Sequence, residues 1–152
     1  NLIINLIINL IINLIIYIMS KLLTIAFDLG GVIFSVDNNI FSDNYIETEL
    51  TEGIYDLLMY LHKKPNIKLI IISKAFPNNA KKSKEILKLY GLDDIFNSII
   101  FCEFNNKKAL IAKAMDVNIM IDDKKEVLDC FDKSIKTILF DSHKIGDLYK
   151  LV

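Results

Sequence analysis

Cysteine is scarce: Cys102 and Cys130 are the two in a chain of 152 residues. They form neither a C-x-x-C pair nor a metal-ligand spacing, so they read as buried, inert thiols of a reduced, cytoplasmic protein rather than a disulfide framework. A charge imbalance is also missing. With 18 basic and 19 acidic residues the net charge is −1, which leaves no nucleic-acid signature. The lysine pairs, such as Lys63-Lys64 and Lys81-Lys82, are scattered and read as solvated helix ends. Histidine is equally sparse. His62 lies beside Lys63-Lys64 at a helix end, where a cation suits the dipole, and His143 falls in a late loop with at most a minor substrate contact. No third glycine follows Gly30-Gly31, and an acid stands where a phosphate would approach, which excludes a dinucleotide-binding loop.

The first 18 residues lack the basic start and small-residue cleavage site of a signal peptide. Asn-Leu-Ile-Ile repeats four times from Asn1 to Ile16. As a membrane span it has barely enough length, and each asparagine would need a hydrogen-bond partner in lipid. We read residues 1–18 as a low-complexity tract outside the fold, with a membrane or partner-binding anchor as the alternative. Met19-Ser20-Lys21 resembles a natural start, and function is sought in residues 19–152, one domain whose 53% apolar composition supplies a single core.

Short apolar runs then alternate with helical spacing. Strands are predicted over Leu22–Phe27, Ile67–Ile72, Ile99–Cys102, Val117–Ile121 and Ile135–Phe140. Between them, helices are predicted around Leu50–Leu61, Ala80–Tyr90, Lys108–Met115 and Glu126–Phe131. This alternation predicts an α/β, Rossmann-like three-layer sandwich around a central parallel sheet of about five strands. Chemistry in such folds gathers outside the carboxyl ends of the strands. Asp28, Ser73, Asp122 and Asp123 each follow a predicted strand directly.

Brought together, Asp28, Asp122 and Asp123 would repel one another, and a hard cation is the simplest remedy. Mg²⁺ suits it, since it accepts one or two carboxylates, a carbonyl, waters and a substrate phosphate. A serine and a lysine facing the same crevice would serve the remaining phosphate oxygens, and a carboxylate can itself attack phosphorus.

At this point the sequence resembles the haloacid dehalogenase superfamily over nearly all of 19–152. "IAFDLGGVIF" resembles its first motif, "KLIIISKAF" the second, "NNKKALIAKAM" the third and "NIMIDDKKEV" the fourth, while "GLDDIFNSII" resembles the usual lead into the third strand. The resemblance implies that Asp28 is the nucleophile and a metal ligand, with the carbonyl of Gly30 a second ligand. It implies that Ser73 and Lys74 bind the phosphoryl group, that Lys108 (or else Lys107) steadies nucleophile and phosphate, and that Asp122 and Asp123 hold Mg²⁺.

Two departures stand out. The family's phosphatases usually carry a second aspartate two residues after the first, which protonates the leaving group; here that position is Gly30. Losing such help costs about 10²–10⁴-fold in rate. Branches of the family that cleave carbon–halogen or phosphonate bonds also lack it. Second, residues 35–49 are too few for a cap domain, so the site reads as capless, with those residues as a mobile flap whose Phe41 and Tyr45 are expected to pack back onto the sheet, with contact to substrate as the alternative. An uncapped site in this family implies a bulky or macromolecular phosphorylated substrate, or an oligomer whose neighbouring subunit serves as lid. Two readings stay open: a Mg²⁺-dependent phosphatase working through Asp28, and a pseudoenzyme serving as a binding or regulatory module. A receiver domain is excluded, because its acid pair follows the first strand rather than the fourth.

Overall fold

The computed structural model describes residues 1–152. Five strands form one sheet: β1 (Leu23–Phe27), β2 (Ile67–Lys74), β3 (Ser98–Cys102), β4 (Ile119–Asp122) and β5 (Lys136–Leu139). Their order is β3-β2-β1-β4-β5, and every neighbouring pair is parallel. The helices are α1 (Leu2–Ser20), α2 (Ile54–His62), α3 (Pro77–Leu89), α4 (Lys108–Ala114), α5 (Lys125–Leu128) and α6 (Ile145–Leu148).

The central strands are covered on both faces, which is why they read as unbroken apolar runs. Successive side chains of a strand alternate between faces. Ile25, Phe27, Leu69, Ile71, Ile119 and Ile121 therefore join a core with residues of α2, α3 and α6. Ala26, Ile70, Ile72 and Met120 face the other way, onto Ala112 of α4 and Leu128 of α5. Burying a side chain such as Ile71, which has no exposed surface, contributes about 1.5–3 kcal/mol.

The register positions the chemistry. Phe27 aligns with Ile71 of β2 and with Ile121 of β4, so Asp28 and Asp122 emerge at the same level. The strand order reverses between β1 and β4, and these two acids flank that reversal.

Boundaries differ from expectation where long-range pairing decides them. β2 continues through Ser73 and Lys74, because both pair with β3. α3 starts at Pro77, in a first turn where proline's missing N–H costs nothing. α5 ends at Leu128, which leaves Cys130 exposed in the following turn; the expectation that both thiols are buried holds for Cys102 alone.

The repeat tract forms α1, with no residue buried along its length. By length and composition the helix is long and apolar enough to cross a membrane. Residues 35–49, expected as a flap, are tied to other segments of the fold. The Tyr45 hydroxyl donates to Glu85 of α3, the Tyr90 hydroxyl donates to the Thr48 carbonyl at 2.8 Å, and the Ser35 N–H donates to the Glu49 carbonyl at 2.9 Å.

Candidate active site

Asp28 is the first residue beyond β1, and its backbone N–H still donates to the Ile121 carbonyl of β4 at 3.0 Å. Its side chain is almost wholly buried, and one oxygen, Oδ1, takes all of its donors. The Ser73 hydroxyl donates at 2.7 Å, the Leu29 N–H at 2.8 Å, and Lys108 Nζ lies at 3.1 Å. Oδ2 is left without a protein donor. The carboxylate is therefore fixed by one oxygen with the other free to react.

Lys108 begins α4, after a tight turn over Asn105–Lys107. Its side chain is 1% exposed and reaches Asp122 Oδ2 at 2.8 Å as well as Asp28. Lys107 is exposed. The structure thus brings Lys108, and not its neighbour, to the acids. Asp122 is completely buried, and its other oxygen accepts from the Lys124 N–H at 3.0 Å.

Asp123 is half-buried, and its Oδ1 is sealed from solvent without any hydrogen-bond partner. Carboxylate oxygens of Asp28, Asp122 and Asp123 lie within 4.8 Å of one another. An orphaned buried oxygen beside two further carboxylates is the donor set of a hard divalent cation, so the residues present fit Mg²⁺.

The electrostatics follow. Burial pushes the Asp28 carboxyl above the ordinary range; Lys108 pulls against the rise and Asp122 adds to it. Asp123 is raised by burial, then by Asp28 and Asp122. Burial opposes the charge of Lys108, but Asp28 and Asp122 outweigh it and hold its ammonium above the usual lysine value.

The adjacent glycines do different jobs. Gly31 has φ +79°, a left-handed conformation, and a Cβ there would sit 2.3 Å from Asp123 Oδ2. Gly30 has no such φ, and a Cβ there would meet only Asn38 Nδ2, at 4.0 Å. Gly31 serves the turn after β1, whereas Gly30 faces open space.

A cavity of about 420 Å³ opens over Asp28 and takes in Gly30, Ser73, Lys74, Lys108 and Asp123. Phe41 belongs to its wall and is 84% exposed, against the expectation that it packs back onto the sheet. Tyr45 does pack against the core, at the foot of the same loop, where its hydroxyl finds Glu85. Sequence reasoning missed Asn38, Phe76, Asn79, Asn105 and Lys124 in this wall. Their only signal is position: Phe76 and Asn79 at the opening of α3, Asn105 just before α4, and Lys124 just after the acid pair. His143 lies in a second cavity beyond Asp123.

No protein-family model matches the sequence, and no curated protein sequence does. Solved structures do match. A haloacid dehalogenase-like hydrolase, SP0104 from Streptococcus pneumoniae, aligns over 86% of this chain and 92% of its own with TM-score 0.56 and 13% identity. The fold is that of the haloacid dehalogenase superfamily. The haloacid dehalogenase domain of effector protein Lem4 from Legionella pneumophila aligns over 86% of this chain and 93% of its own, with TM-score 0.56 and 14% identity. A chain of the Pnkp1/Rnl/Hen1 RNA repair complex aligns at TM-score 0.60 and 15% identity over 80% of this chain. This chain spans less than half of that one, 43% of its length.

Proposed function

We propose that this chain is a Mg²⁺-dependent phosphatase that passes a phosphoryl group from an ester to Asp28 and then to water. One observation carries the reading: a buried carboxylate at the end of the central strand has one oxygen fixed by Ser73, Leu29 and Lys108, while two further carboxylates lie within 4.8 Å.

Bound Mg²⁺, held by Asp28, Asp122, Asp123 and the Gly30 carbonyl, would offset the repulsion between attacking carboxylate and phosphate. Asp123, whose buried oxygen has no other partner, is its freest ligand; both oxygens of Asp122 already accept hydrogen bonds. Asp28 Oδ2 is the attacking atom, since Oδ1 is occupied. Lys108 favours the ionised form of Asp28 against the effect of burial and orients it, and its charge stabilises the phosphoryl oxygens during transfer. The Ser73 hydroxyl and Lys74 supply further contacts to those oxygens from the end of β2.

The test uses 4-nitrophenyl phosphate, with and without Mg²⁺, on the native chain and on Asp28→Asn. Turnover that needs both the ion and Asp28 supports the reading. A second reading, a binding or regulatory module on the same fold, is favoured by Gly30, which offers no side chain for proton transfer. Thermal stabilisation by Mg²⁺ and beryllofluoride, with no turnover, identifies that module.

A further inference from the structure

The wall of the cavity over Asp28 combines two features that bear on what leaves when phosphate is transferred. The first is an absence of proton donors of suitable strength. Its only acids are Asp28 and Asp123, the nucleophile and a member of the carboxylate cluster, and it contains no histidine, glutamate, tyrosine or cysteine. Its cations are Lys74, Lys108 and Lys124, and an ammonium group is a weak proton donor at neutral pH. At Gly30 a Cβ would meet nothing closer than Asn38 Nδ2 at 4.0 Å, so a side chain could start there, and no acid does.

The second feature is aromatic surface held out to solvent. Phe41 is 84% exposed and Phe76 52% exposed, and both line the cavity with Val36 and Ile40. Phe41 does not hang on a loose loop: Tyr45 and Thr48 on the same segment are hydrogen-bonded to Glu85 and Tyr90. Such rings at the mouth of a phosphate site gain by stacking on another ring.

We infer that the substrate is an aryl phosphate monoester, whose ring sits against Phe41 and Phe76 and leaves as a phenolate. This rests on the phosphatase reading above and names its substrate class. An Asp28 oxygen forms the new bond to phosphorus as the bond from phosphorus to the aryl oxygen breaks. The electron pair departs on the phenolate, which takes its proton from solvent. Water then attacks phosphorus, the Asp28–phosphorus bond breaks, and inorganic phosphate leaves with Asp28 restored as carboxylate. A phenol has a pKa of about 10, whereas an alkyl alcohol, like water, is a far weaker acid. The aryl oxygen therefore departs unprotonated far more readily, and the missing acid matters least for this class.

The experiment compares kcat/KM for phenyl phosphate, butyl phosphate and acetyl phosphate on the full chain with Mg²⁺. Acetyl phosphate carries no ring and releases a carboxylate, so it tests transfer to Asp28 alone. The expected result is a preference for phenyl over butyl phosphate of at least about 100-fold. Phe41→Ala and Phe76→Ala should each lower the ratio of phenyl to acetyl phosphate efficiency, by about fivefold. Butyl phosphate within tenfold of phenyl phosphate, or a ratio unmoved in both variants, overturns the inference. Turnover of acetyl phosphate without phenyl phosphate overturns it while leaving the phosphatase reading intact; no Asp28-dependent turnover of either overturns both. Free phosphotyrosine and a phosphotyrosine peptide, run alongside, separate a small-molecule source from a protein one, and turnover of either supports the aryl class.

Discussion

Lys108 Nζ lies 2.8 Å from Asp122 Oδ2, with the lysine side chain 1% exposed and the aspartate sealed completely. The same ammonium lies 3.1 Å from Asp28, so one buried cation serves two buried anions. Lys108→Met keeps the volume and removes the charge. Breaking a buried pair from one side typically costs about 3–5 kcal/mol. Urea unfolding at neutral pH without Mg²⁺ should show a loss of that size, and a loss under about 1 kcal/mol would contradict the pairing.

The carboxylate cluster also sets a pH dependence. Asp28 and Asp123 are raised, chiefly by burial, so the folded chain binds their protons more tightly than the unfolded chain. Stability therefore falls as pH rises from the ordinary carboxylate range through their folded pKa values. Asp132 is lowered, chiefly by the Ser134 N–H, and its contribution is lost only as pH falls below the ordinary value of 3.8. Lys108 is raised, and its contribution is lost only at strongly alkaline pH. The Tm of chelated protein should be higher at the acid end of the Asp28 and Asp123 titration range, near the ordinary carboxylate value, than at its alkaline end, with Mg²⁺ narrowing the gap. The reverse order in chelated protein would rule out the cluster as the source.

Gly31→Ala places a methyl 2.3 Å from Asp123 Oδ2 and 2.8 Å from its Cγ, on a backbone with φ +79°. The left-handed conformation costs a non-glycine residue about 1–2 kcal/mol, and the carboxylate must also move. We expect the Mg²⁺ concentration for half-maximal thermal stabilisation to rise at least tenfold. An unchanged Mg²⁺ dependence would show that Asp123 does not hold the ion.

Gly30→Asp is the opposite case, because a Cβ there has Asn38 Nδ2 as its only neighbour, at 4.0 Å. Supplying the acid should raise turnover of butyl phosphate relative to phenyl phosphate, by up to the roughly 10²–10⁴-fold that acid catalysis provides. The ratio of the two kcat values reads this directly. If it stays constant, leaving-group protonation is not what the native chain lacks.

Much of this arrangement is legible in the sequence because burial on both faces leaves a strong mark. "IAF" before Asp28 and "IMI" before Asp122 are short apolar runs, and an acid directly after such a run reads as a strand end. The choice of Lys108 over Lys107 is less visible, since one residue's difference at a helix start decides which side chain turns inward. The separate duties of Gly30 and Gly31 are not visible at all; they depend on how closely Asp123 approaches from another strand. For Phe41 the favoured reading, packing onto the sheet, fails for a related reason, and its place in the cavity wall fits the alternative. A phenylalanine in a polar loop normally buries itself, but the bonds of Tyr45 and Tyr90 leave it at the cavity mouth. Cys130 is exposed because α5 ends at Leu128, a boundary that local pattern extends through Phe131.

The most direct test of the account is to trap the phosphoryl group on the protein. The full chain is mixed with ³²P-labelled acetyl phosphate and Mg²⁺, quenched in acid, and examined for label that hydroxylamine releases, as expected of an acyl phosphate. The account predicts such label on Asp28 in the native chain and none in Asp28→Asn. Label that survives in Asp28→Asn, or phosphate release from a native chain that never becomes labelled, would contradict it.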